Sequence, residues 1–266
     1  MGINNFLIFI IFSIFIFLFL ISDSFEFSKS LTVSICIPLI PRDIPKISLM
    51  LQSIAKQTVL PNEVVVALSS ATESDESNIR KILVDNLPKK VAWKVVSTSD
   101  NYYAGSNRNR AAKASSGDIV SFADADDEMM PRRIQLIREV FLKNPTCMCV
   151  LTPYVVTKNK KRTYSTEMAQ MKMIKNVKKG LFAIYHFKNP KKYKKKYHIH
   201  HGVPSVRRDV IHTISQSNKR RGQDVEFLHN VLAHYGKDRI MLIGEPLYIY
   251  HGPHYTPTYP AASNDF

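Results

Sequence analysis

The chain has 266 residues, 45% of them hydrophobic, which suits one α/β domain of ordinary size and excludes wholesale disorder. Its 37 Lys and Arg against 22 Asp and Glu give a net charge of +15, which favours anionic partners such as nucleotides, nucleic acid or lipid headgroups without choosing among them. The three cysteines, Cys36, Cys147 and Cys149, are too few for a disulfide framework and read as small buried hydrophobes.

Residues 6–21 are an unbroken run of Phe, Ile and Leu with one Ser. A membrane-spanning helix needs about 20 apolar residues, so the run with Ser22 can span if it tilts little. A cleaved signal peptide wants a basic start, a shorter apolar stretch and a small-x-small cleavage site. Residues 1–5 hold no basic side chain, and Ser22-Asp23-Ser24-Phe25 shows no such site. The sequence therefore predicts a retained single-pass anchor with a short stem over residues 1–30, in keeping with a secretory-pathway membrane. The alternative is a secreted or lumenal protein, which a mature N-terminus near residues 23–28 would reveal. Neither flank is Lys/Arg-rich, so orientation is not set. Phe6 replaces the Ser or Thr that myristoylation at Gly2 would want.

Beyond the anchor, residues 32–37 (TVSICI) read as a buried strand that Pro38 ends. Residues 44–56 carry apolar side chains at helical spacing. Residues 63–68 (EVVVAL) form a second strand, 77–86 a helix, and 91–96 a third strand. Residues 105–116 are helical with Ser106 as N-cap, 118–123 (DIVSFA) a fourth strand, and 131–142 a helix opened by Pro131. Apolar strands alternating with helices imply a mainly parallel sheet covered on both faces. The second half is less regular. Strands are expected at 148–156, 202–206 and 246–250, and helices from about Arg208 and over 224–234. The tail from His251 reads as a Pro-rich loop.

The fourth strand runs straight into Asp124, Asp126 and Asp127. In open α/β sheets, ligands sit outside the carboxyl ends of the strands. Acids crowded there repel one another unless a cation neutralises them. A hard divalent ion, held by one or two carboxylates and otherwise by a diphosphate, meets that need. A solvated acidic turn before the next helix is the plain structural alternative.

The surrounding blocks resemble the family 2 glycosyltransferases. Arg108-Asn109 is followed by Gly117-Asp118, an apolar strand and Asp124-Ala125-Asp126-Asp127, in the family's spacing. Val33-Ser34-Ile35-Cys36-Ile37-Pro38 resembles the family's first strand, and Ser53, Gln57-Thr58, Pro61 and Glu63 fall where its first helix and second strand lie. The resemblance covers residues 32–145 well and the rest loosely. It implies the GT-A fold over residues 31–255, with a donor half at 31–128, an acceptor half at 129–255 and a tail at 256–266. It also implies transfer of a sugar, with inversion, from a nucleotide-sugar such as a UDP-sugar to the hydroxyl of a glycan, protein or lipid acceptor, with Mn²⁺ or Mg²⁺. Carried over by position, Asp124 meets the donor ribose and Asp126 the metal. Arg108 and Asn109 stand near the donor, Pro38 lines its site, and Asp127 caps a helix or supports its neighbours.

The chain departs from the family pattern at Leu68-Ser69-Ser70-Ala71, where an Asp-Asp-Gly-Ser usually helps read the base. Ser69, Ser70, Asp75 or Asp100 is left to replace it. Gly222-Gln223-Asp224 stands where the family has an acidic pair, with the Glu replaced by Gln. Asp224 is the implied general base, with a dipole-favoured helix-start acid as the plain alternative. His251 or His254 could complete the metal shell. His198, His200 and His201 fit no zinc spacing and read as acceptor-side wall. The run 188–196 (KNPKKYKKK) has no accompanying nucleic-acid motif, so lipid or an acidic acceptor is the expected contact rather than nucleic acid.

Two other readings compete. A nucleotidyltransferase would place a Gly-rich loop after the first strand, and Pro38-Leu39-Ile40-Pro41-Arg42 has no Gly. A degenerate binding protein would fit the missing acidic pair but not the retained Asp124, Asp126 and Asp224.

Overall fold

The apolar runs become neighbouring strands in a computed structural model, which describes residues 30–156, 203–243 and 245–251. β1 (Val33–Leu39) pairs in parallel with β2 (Glu63–Leu68) and β4 (Ile119–Phe122), and β2 with β3 (Ala92–Ser97). β8 (Ser205–Arg207) adds antiparallel to β4 and to β6 (Cys149–Leu151), and β9 (Ile240–Leu242) closes the row. The sheet thus has seven strands in the order β3-β2-β1-β4-β8-β6-β9. A second sheet of three strands sets β10 (Tyr248–Tyr250) between β5 (Glu128–Met129) and β7 (Tyr154–Val156).

The helices follow from the same pattern. After a 3₁₀ turn (Pro41–Lys46) come α1 (Ile47–Ala55), α2 (Glu73–Asn86), α3 (Ala104–Ala114), α4 (Arg133–Lys143), α5 (Arg208–Thr213) and α6 (Gln223–Tyr235). Side chains alternate between the faces of a strand. Cys36, Val65, Ala67, Val120 and Phe122 therefore share one face, packed with Ala111 and Ala112 of α3 and Phe227, Leu228 and Val231 of α6. Phe122 and Phe227 meet edge to face, centroids 6.1 Å apart. This packing fixes α3 and α6 beneath the strand ends that carry the acids.

Several expectations need correction. β1 runs through Pro38 to Leu39 because its pairing with β4 stops at Cys36. Beyond that point β1 has a neighbour only on the β2 side, where the missing proline N–H is tolerated. α2 starts at Glu73, ahead of the expected 77, because Thr72 and Asp75 form a reciprocal capping box. α3 is preceded by Tyr103 rather than capped by Ser106. The expected strand 148–156 is two strands in different sheets, divided at Thr152-Pro153. The expected anchor, the Lys-rich run, His198, His200, His201, His254 and the tail 256–266 lie outside the described residues. Among the described residues, no helix is long and apolar enough to cross a membrane.

One buried cluster locks the far end of the sheet. Glu63 accepts hydrogen bonds from Ser34 Oγ at 2.6 Å and Ser116 Oγ at 2.7 Å, and lies 3.5 Å from Lys94 Nζ. Burial alone would raise its carboxyl, but the bonds from Ser34 and Ser116 and the Lys94 charge hold it below its ordinary value. Gly117 N–H donates to Ser34 Oγ at 2.8 Å, and a Cβ on Gly117 would lie 2.5 Å from that oxygen and 2.8 Å from the Ser34 nitrogen. Gly117→Ala is expected to destabilise the fold by about 1–3 kcal/mol, the usual cost of overpacking. Urea unfolding of the variant against wild type measures it, and an unchanged midpoint would refute the close approach.

Candidate active site

A cavity of about 460 Å³ opens at the carboxyl ends of β1 and β4, where ligands bind in open parallel sheets. Pro38, Leu39 and Ile40 form one wall, and Asn101, Tyr102 and Tyr103 a second. Asn107 and Arg108 of α3 line the floor beside Asp124 and Asp126, and Arg220 reaches in from the loop before α6.

The charges here are arranged in pairs. Arg108, itself buried, holds the Asp124 carboxylate through Nη2. Arg42 and Lys46 both bind Asp43, at 3.0 and 2.8 Å. Lys46 Nζ stands 3.9 Å from Asp126, whose side chain is 47% exposed to the cavity. Burial, then the charge of Asp124, raises the Asp126 carboxyl above its ordinary value. Asp126 therefore profits from a cation placed in the cavity. Arg220 has no recorded carboxylate contact among the described residues.

Asp127 is not a helix cap, since α4 is preceded by Arg132. It is fully buried, and its carboxyl is pushed up to about 9 by burial and then by the charge of Asp124. It accepts from the N–H of His251, the residue after β10, at 2.8 Å. Tyr248 OH accepts from the Asp124 N–H at 2.9 Å. His251 is buried, and its Nε2 lies 2.9 Å from Glu128 rather than towards Asp126. Among the described residues, no group of three His, Cys, Asp or Glu side chains is placed to hold a metal. Among the described residues, Asp126 with Asp124 beside it could contribute to a cation in the cavity. That oxygen-only donor set suits Mg²⁺ or Mn²⁺ completing its shell from a diphosphate and water.

The residues expected at the base divide. Ser69 is buried and accepts from Asn107 Nδ2 at 2.7 Å, so it supports the wall from behind. Ser70 sits at φ 54°, the left-handed region, with its N–H on the Asp100 carbonyl at 2.8 Å. Asp75 is consumed by the α2 cap. Asp100 accepts from the Tyr102 hydroxyl at 3.2 Å and does not border the cavity. Asn101 and Tyr102 border it in its place, and no spacing in the sequence marked them.

Asn109 does not face the donor cavity either. Its amide exchanges two hydrogen bonds with the Gln216 backbone, at 2.7 and 2.9 Å, and pins the loop that carries Arg220. Tyr103 N–H adds a bond to Asn218 Oδ1 at 3.0 Å. A Cβ on Gly105 would lie 2.3 Å from the Ser217 carbonyl oxygen and 2.9 Å from Gln223 Cγ, so glycine lets this loop and α6 sit against α3. Asp224, half-buried, is the second residue of α6, after Gly222 at φ 78°. Glu226 is occupied by Ser217 and by Lys219 at 3.0 Å.

The fold is shared with solved glycosyltransferases. A fragment (1–349) of S. aureus TarS in complex with UDP-GlcNAc aligns with a TM-score of 0.60 and 18% identity, over 85% of this chain and 60% of that one. The mannosyltransferase PcManGT of Pyrobaculum calidifontis, in complex with GDP-Man and Mn²⁺, aligns at 0.53 and 18%, over 83% of this chain and 56% of that one. M. tuberculosis glucosyl-3-phosphoglycerate synthase, with Mn²⁺ and UDP, aligns at 0.52 and 15%, over 84% and 73%. In sequence, an uncharacterized glycosyltransferase of Haemophilus influenzae is 30% identical over 100 residues, 34% of each chain. This chain thus matches only about a third of that relative's length. The family model of glycosyl transferase family 2 matches residues 34–214, and the chain belongs to that family.

Proposed function

We propose that this glycosyltransferase is metal-dependent and inverting, and moves a sugar from a UDP-sugar to an acceptor hydroxyl. One observation carries the reading: a single cavity at the strand ends joins Asp124, Asp126, Arg108 and Arg220. The supporting relatives hold UDP-GlcNAc, UDP with Mn²⁺, or GDP-Man with Mn²⁺.

In this reading Asp126 holds the cation and Asp124, fixed by Arg108, meets the ribose. Mn²⁺ or Mg²⁺, when bound, offsets the charge that gathers on the departing nucleoside diphosphate. Arg220, which makes no carboxylate contact among the described residues, adds a positive charge on the same leaving group. Tyr102, Tyr103 and Asn101 enclose the base. Asp224 takes the acceptor proton as the hydroxyl attacks the anomeric carbon opposite the leaving group, which inverts that centre.

The decisive experiment is a panel of nucleotide-sugars, incubated with the protein with and without Mn²⁺ and followed by release of nucleoside diphosphate. Metal-dependent release from a UDP-sugar is the expected result. Release unaffected by chelation would remove metal dependence, and release from GDP-sugars alone would replace the donor.

A further inference from the structure

We propose that Tyr248 is a positioning residue for the donor site. Its hydroxyl fixes the backbone at Asp124, and so sets the direction in which Asp124 and Asp126 meet a nucleoside diphosphate. What fills the cavity rests on the function proposed above.

Tyr248 is fully buried and does not border the cavity, so it can act only through the residues it holds. Its hydroxyl accepts from the Asp124 N–H at 2.9 Å. His251, the residue that follows β10, gives its N–H to Asp127 at 2.8 Å and sets its ring 2.9 Å from Glu128. Its backbone pairs with β5, Tyr248 opposite Met129 and Ile249 opposite Glu128. Asp124, Asp127, Glu128 and Met129 are therefore tied to β10 or to His251 after it, and of these bonds the Tyr248 hydroxyl is the one that reaches Asp124.

The ring cannot drift. Its far side faces the Arg133 guanidinium, 5.2 Å from the ring centroid. Arg133 is itself fully buried and anchored by Thr152 Oγ1 at 2.8 Å, the Val203 carbonyl at 2.8 Å and Ser121 Oγ at 3.3 Å. A hydroxyl placed by a ring on a rigid support is a fixed point, and a metal-binding loop needs one. A ligand misplaced by a fraction of an ångström loses much of its strength.

Tyr248→Phe keeps the ring and its contact with Arg133 and removes only the hydroxyl. Two readouts are needed: amide hydrogen exchange at Asp124 without ligand, and calorimetric binding of UDP with Mn²⁺. In the wild type the Asp124 amide should be protected. In the variant it should exchange at least about 10-fold faster, and UDP·Mn²⁺ affinity should fall about 10-fold, equivalent to about 1.4 kcal/mol. An unprotected Asp124 amide in the wild type overturns the proposal without any variant. So does a variant with a lower melting temperature but unchanged affinity, because that is the mark of a purely structural tyrosine. Failure of the wild type itself to bind UDP·Mn²⁺ would instead refute the proposed function, and is seen before any variant is made.

Discussion

Asp126→Asn is expected to abolish Mn²⁺-dependent binding of a nucleoside diphosphate while the fold stays intact. The side chain is 47% exposed, and its ion pair with Lys46 is 3.9 Å long. Such a pair contributes about 0–1 kcal/mol, so little stability is lost with it. The amide keeps the shape but removes the charge that a hard cation requires. The neighbours cannot take over. Asp124 is engaged by Arg108, Asp127 is buried against β10, and His251 faces Glu128. Affinity for UDP in the presence of Mn²⁺ should fall at least about 100-fold, about 2.7 kcal/mol. Affinity without metal should rise or stay level, because a carboxylate facing the diphosphate has been neutralised. Calorimetric titration with and without Mn²⁺ decides it, and an unchanged metal-dependent affinity would remove Asp126 from the metal site.

The first half of the fold was legible because its signals are local. β2 falls on residues 63–68 as expected, where a Val-rich run is buried on both faces. The alternation of such runs with helices implied the parallel pairing found around β1. What failed was non-local. β5 is two residues long and β9 three, too short for any periodicity to show, while β10 falls inside the strand expected at 246–250 but its sheet partners were not foreseen. Their small sheet exists because distant segments meet, Tyr248 beside Met129 and beside Tyr154. Pro38 shows the same limit: whether a proline ends a strand depends on which neighbour lies alongside.

The site divides in the same way. Asp124, Asp126, Arg108 and Pro38 border one cavity, and all four sit in contiguous, closely spaced motifs. Asn109 follows Arg108 in sequence, but one residue turns about 100° around a helix, so its amide pins Gln216 instead. His251 has the residue type of a ligand, yet its direction is set by the pairing of β10 with β5, which the sequence did not reveal. Arg220 and Tyr248 carry no motif at all. Their importance comes from what the fold brings beside them.

Asp224→Asn should separate catalysis from binding. A general base matters when the acceptor proton leaves, so its loss falls on the transition state. The expected result is a kcat lower by about 10²–10⁴, with affinity for UDP·Mn²⁺ within about twofold of wild type. The structure supplies two reasons for the contrast with Asp126→Asn. Asp224 does not border the cavity that holds Asp124 and Asp126. It opens α6, which is held against α3 by the close approach of Gln223 to Gly105. Asn at the second helical position preserves that packing and the shape of the side chain, so the fold should survive. The alternative acid on the helix, Glu226, is bound to Ser217 and Lys219 and is poorly placed to accept a proton. Single-turnover transfer and calorimetric nucleotide binding on the same preparation make the comparison. Near-normal transfer by Asp224→Asn would mean that another group is the base. Loss of nucleotide binding along with transfer would place Asp224 in the donor site and remove the main support for an inverting displacement.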